Sequence, residues 1–198
     1  MDTKSLPGRI GASFTGRIGI ALLGALTVGS IAATSMSLAF FTDTNAAGAN
    51  AFTTGTITLG LNPTSAILSS GAMMPGDTVN GSLIVTNSGT AQLRYAVTSS
   101  STNADAKALN AQLTLAIKTL GTSCAAFDGT SLYSGALSAA AIGDPTAGAQ
   151  AGDRSLAGAS NETLCFRATL PSGTGNAYQG ATTTATFTFQ AEQTANNP

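Results

Sequence analysis

Thr182-Thr183-Thr184-Ala185-Thr186-Phe187-Thr188-Phe189-Gln190-Ala191 alternates without a break. Thr183, Ala185, Phe187, Phe189 and Ala191 fall on one side; Thr182, Thr184, Thr186, Thr188 and Gln190 fall on the other. A period of two, carried by threonine and aromatic residues, is the pattern of a half-buried strand. It recurs upstream. Val79, Gly81, Leu83 and Val85 alternate with Asn80, Ser82, Ile84 and Thr86, and Leu93, Tyr95 and Val97 with Gln92, Arg94, Ala96 and Thr98. Leu113, Leu115 and Ile117 form a third set, and Leu164, Phe166, Ala168 and Leu170 a fourth, with Cys165, Arg167 and Thr169 turned outward.

Turn signals punctuate these runs. Asn62-Pro63 follows Leu59-Gly60-Leu61, and Pro75-Gly76-Asp77 is a tight turn, because proline presets φ and glycine accepts a positive one. Asn87-Ser88-Gly89-Thr90 predicts a hairpin between the runs at residues 79–86 and 92–98. Residues 65–69 read as a short strand, 103–109 as one or two helical turns, and 131–138 as a hairpin-like segment inside an irregular stretch, 121–159. About seven short alternating strands and no long amphipathic helix predict an all-β fold: a two-sheet β-sandwich of jelly-roll type.

A hydrophobic segment precedes this domain. Lys4, Arg9 and Arg17 come before an apolar run that starts at Ile18, and Ser35, Ser37 and Ala39 are small where a signal peptidase requires small side chains. The expectation is a hydrophobic N-terminal signal helix over residues 1–39, cut between Ala39 and Phe40. Residues 40–50 then form the mature N-terminal segment, 51–193 the sandwich and 194–198 a polar C-terminal tail. A retained leader acting as a membrane anchor is the alternative, since the run from Ile18 to Phe41 is long enough to span.

Composition excludes several functions. Charged residues make up 9% of the chain and the net charge is −1, so nothing attracts nucleic acid. There is no histidine and no tryptophan. That removes the Ser-His-Asp and Cys-His arrangements and the H-E-x-x-H zinc helix, and no phosphate-binding loop occurs. No catalytic residue, metal site or cofactor is expected. Asp77 reads as a turn residue rather than a calcium ligand; Asp144 and Asp153 share one loop, with a weak cation as the functional alternative. Cys124 and Cys165 are the only cysteines, and in an exported chain two cysteines most simply form one disulfide, worth about 4 kcal/mol for a loop of about 40 residues. It would tie the irregular Cys124 loop across the outer face of the strand that carries Cys165.

The order of motifs resembles the TasA/camelysin family of secreted biofilm-matrix proteins. The matching residues are Phe40-Phe41-Thr42-Asp43 at the leader junction, Phe52-Thr53-Thr54-Gly55-Thr56-Ile57-Thr58-Leu59, the Pro75-Gly76-Asp77 turn, Val85-Thr86-Asn87-Ser88-Gly89-Thr90, and Asn176-Ala177-Tyr178-Gln179-Gly180 leading into the last strand. The resemblance implies a secreted jelly-roll subunit that builds extracellular or cell-surface fibres by donor-strand complementation. The donor would be Phe40, Phe41, Asp43, Ala46, Ala47 and their neighbours in residues 40–50. The implied partners are other copies of the chain head to tail, a dedicated signal peptidase and an accessory matrix protein. The alternative is a secreted or anchored monomeric binding module, adhesin-like. The name camelysin implies a metallopeptidase, for which the chain offers no zinc motif.

Overall fold

The strand around which the others are arranged is Ser160–Thr169, whose inward residues Leu164 and Phe166 are fully buried. The computed structural model describes residues 51–197 of the protein; the leader, the Ala39–Phe40 junction and the donor residues Phe40, Phe41, Asp43, Ala46 and Ala47 lie outside them. In chain order the elements are β1 (Leu59–Asn62), β2 (Thr78–Asn87), β3 (Leu93–Ser101), α1 (Leu109–Gln112), β4 (Thr114–Thr119), β5 (Ser131–Ala136), β6 (Ala141–Ile142), β7 (Arg154–Leu156), β8 (Ser160–Thr169) and β9 (Ala185–Gln193).

They form two antiparallel sheets. The first has the order β1-β2-β8-β4-β5. In the second, β3 is central, with β9 along one side and the short β6 and β7 along the other. The period-two patterns place Leu83 and Val85 of β2, Leu115 and Ile117 of β4, and Leu164, Phe166 and Ala168 of β8 in one core with Leu93, Tyr95 and Val97 of β3. Aromatic contacts join the sheets: Phe166 meets Phe187 with ring centroids 5.2 Å apart. The protein is therefore all-β, as the alternation predicts.

Four local expectations fail. β2 and β3 are not a hairpin; they belong to different sheets and face each other across the core. Both strands carry an apolar inward row, which two neighbours in one sheet share just as well, so alternation alone does not separate the cases. Asn87 decides it. Its side chain is fully buried, and its Nδ2 donates to the carbonyls of Ala91, Leu156 and Ala157 while its Oδ1 accepts from the N–H groups of Gly89 and Thr58. These bonds fasten the corner at which the chain leaves one sheet for the other. Asn87→Ala strands these groups in the interior and is expected to cost about 3 kcal/mol, read as a lower denaturation midpoint with an unchanged m-value.

Residues 65–69 form no strand, and the helical turn falls at Leu109–Gln112 rather than over 103–109. Asn103 and Asp105 engage the N–H groups of Ala108 and Lys107 with their side chains, a local alternative to helix. Residues 131–138 are not a self-contained hairpin: β5 pairs with β4. The polar C-terminal tail is tied back to the domain. Arg94 donates to the Asn197 carbonyl, and Thr194 N–H bonds to Gln92.

Candidate assembly site

β9 pairs with β3 over its full length, and among the described residues its other side has no strand. In an antiparallel ladder, bonded and non-bonded pairs alternate. Thr102 N–H bonds to the Thr184 carbonyl at one end and Thr194 N–H to the Gln92 carbonyl at the other, while Ser99 N–H points away to Ala140. The even-numbered residues of β9 therefore bond to β3. The main-chain groups of Ala185, Phe187, Phe189 and Ala191 point to the open side.

Beside that edge lies a groove of about 1090 Å³. Val79 and Leu83 of β2, Ile67, Leu170, Phe187 and Phe189 contribute to its walls, and among the described residues no charged side chain lines it. Phe187 and Phe189 are only half-buried, although they are the most apolar residues of the strongest strand. Their side chains complete a core that lacks one neighbour. This is the feature that reading the sequence missed. Gly81 was its one visible signal: a glycine in the middle of an apolar inward row marks a close approach of another piece of backbone.

The two ends of β9 are secured. Asp105 accepts the Thr182 N–H at the entry. At the exit Glu192 pairs with Arg94 at 2.6 Å and accepts the Gly148 N–H, and residues 144–147 close over this outer face. Between the sheets, the Tyr95 hydroxyl donates to Glu162 at 2.9 Å, and Glu162 pairs with Arg154. Burial, then the Glu162 charge, pushes the Tyr95 phenol far above its usual range.

Cys124 and Cys165 form a disulfide, Cα–Cα 5.0 Å. Cys165 stands opposite Lys118 on the outer face, and the tied loop buries that face. Phe127 lies under Lys118 and Arg167, with the two cationic groups 4.9 and 4.1 Å from its ring centroid. Pro75-Gly76-Asp77 forms a tight turn: Asp77 N–H bonds to the Met74 carbonyl, Asp77 Oδ2 accepts the Met74 N–H, and Gly76 has φ +100°. Asp144 and Asp153 serve as turn acceptors for Thr146, Gln150 and Asp144 N–H groups.

Several exposed carboxylates are held below the ordinary range: Asp105 by Lys107 and Thr182 N–H groups, Asp128 and Asp144 by Thr122 and Thr146, and Glu192 by Arg94. A carboxylate whose folded pKa is depressed stabilises the fold above its unfolded value and loses that contribution as pH falls through the folded one. With no histidine in the chain, the melting temperature is expected to stay flat from about pH 5 to 8 and to fall below about pH 4, as a thermal melt series checks.

Fold and groove together define a class: a two-sheet all-β protein with one strand position open along an edge among the described residues. The chain belongs to the camelysin family, since a family model described as camelysin metallo-endopeptidase matches residues 13–119, more than half of its 198 residues. The match ends with β4; the disulfide and β9 lie beyond it. No curated protein matches the chain. The described residues do not fit the metal centre that the family's description implies. The chain has no histidine, both cysteines are tied together, and among the described residues no three His, Cys, Asp or Glu side chains cluster to hold an ion. No proteolytic step follows from them.

Proposed function

We propose that this is an exported structural protein whose subunits join head to tail into fibres of an extracellular matrix or cell surface. Residues 40–50 of one subunit add as a strand along β9 of the next, completing a jelly-roll sandwich. The observation that carries the reading is the open edge of β9 over an uncharged apolar groove. Strand addition satisfies the outward main-chain groups and buries apolar surface in one event. The donor's dimensions and chemistry match. Extended, it reaches about 36 Å, and the nine-residue β9 is about 30 Å long. Asp43 is its one charged residue, and Ala46, Ala47, Gly48 and Ala49 suit a narrow groove.

The donor directly precedes the described domain, and Phe52 at its root is 94% exposed. A strand given to the next copy and a groove that takes one from the previous copy make a contact that does not close on itself, and such contacts propagate as filaments. Export is supported by the basic, apolar and small-residue order of residues 1–39, and a signal peptidase is the partner that frees Phe40. Negative-stain microscopy of the secreted mature protein, beside a version lacking residues 40–50, tests the reading. Fibres from the first and monomers from the second are expected. Monodisperse monomers from both overturn it in favour of a monomeric binding module.

A further inference from the structure

Between Asn62 at the end of β1 and Pro75 at the turn, the chain crosses the inner face of β2 beside β9. It walls the groove that an added strand would enter. Gly81 shows how closely it passes. A Cβ built on Gly81 would stand 2.1 Å from the Ile67 carbonyl oxygen and 3.0 Å from Ile67 Cγ2. The neighbours of Gly81 on its face of β2, Val79 and Leu83, pack into the core, so the Ile67 backbone occupies the place of a core side chain.

The segment forms one wall of the groove, over Gly81, yet is weakly held. Among the described residues, 63–73 make no main-chain hydrogen bond to the rest of the protein. Ile67, Leu68 and Met73 are only partly buried, and the residues between Leu68 and Met73 are exposed. Its carbonyls and N–H groups make no bond to β9. A stretch of chain that packs without pairing is out-competed by one that does both.

We propose that residues 64–73 are a resident plug, which covers the groove of a free subunit and is expelled when the donor strand of another copy pairs with β9. This rests on the reading of β9 as the acceptor edge and adds its regulation. The plug shields Leu83, Phe187 and Phe189 from unselective contacts before assembly. Only an occupant that satisfies the β9 main chain displaces it, so selectivity comes from hydrogen bonding rather than from stickiness. Assembly then has a lag set by plug release, and weakening the plug's apolar contacts shortens that lag.

The test is hydroxyl-radical footprinting of the wild-type mature protein as soluble subunit and as fibre, using Leu120, 50% exposed and outside the groove, as internal reference. Modification of Ile67 and Leu68 relative to Leu120 is expected to rise several-fold on assembly. Fibres in which both residues stay as protected as in the subunit overturn the plug and leave the acceptor edge standing; a wild-type protein that forms no fibres overturns both. As a second arm, Ile67→Ser with Leu68→Ser is expected to shorten the assembly lag several-fold, and a folded double variant with an unchanged lag also overturns the plug. Should that variant misfold, the wild-type footprint alone decides.

Discussion

Ala185→Pro is expected to leave the subunit folded and stop it from assembling. Residue 185 is one of those whose main-chain groups point away from β3, so a proline there takes no bond from the β3–β9 ladder, and its small side chain leaves the Phe166–Phe187 contact in place. Proline is tolerated on an open edge for this reason. What it removes is a donor that an incoming strand requires, and its ring occupies the line of approach. An unsatisfied acceptor on the added strand costs about 3 kcal/mol, on the order of a hundred-fold in subunit affinity. Circular dichroism should match the parent while the concentration needed for fibres rises by that factor. Thr186→Pro is the control. Its N–H belongs to the β3 ladder, so it should destabilise the subunit itself. If Ala185→Pro assembles normally, the acceptor edge has been assigned to the wrong strand.

Removing the disulfide should do the reverse: weaken the subunit and spare the assembly. Cys124 and Cys165 are 41 residues apart, and releasing the loop they close is expected to lower stability by about 4 kcal/mol. The covered outer face, with Phe127 beneath Lys118 and Arg167, loses its fastening. Neither cysteine lines the groove or lies on β9. Cys124→Ala with Cys165→Ala should therefore shift the denaturation midpoint strongly while fibres still form under native conditions. A loss below about 1 kcal/mol would mean that the loop is held by its cation–aromatic contacts and not by the covalent tie.

The strands were legible because their chemistry is local. Over residues 79–85 of β2, 115–117 of β4, 164–168 of β8 and 185–191 of β9 every second residue is apolar or glycine, and the pleat turns that alternation directly into burial. The partners of those strands were not legible in the same way. Asn87 looks like a turn residue, and only its buried carboxamide, bonded to positions 58, 89, 91, 156 and 157, shows that the turn is a corner between sheets. Residues 65–69 carry the apolar content of a strand but have no neighbour to pair with, and pairing rather than composition makes a strand. The groove was hidden for a related reason: it is an absence beside β9, and a sequence records residues rather than vacancies. Gly81 is the exception, a gap in an apolar row that marks where Ile67 passes. The irregular stretch 121–159 conceals β6 and β7 because both are short and lie at the margin of their sheet.

The central claim is that a strand from a second copy pairs with the open edge of β9. The measurement that tests it most directly is hydrogen exchange at single-residue resolution on β9, in the subunit and in the fibre. The N–H groups of Thr186, Thr188 and Gln190 are already bonded to β3 and should exchange slowly in both. Those of Ala185, Phe187, Phe189 and Ala191 should exchange fast in the subunit and slow sharply in the fibre, an odd–even pattern that only an added strand produces. Fibres in which these four N–H groups exchange as fast as in the free subunit would contradict the account.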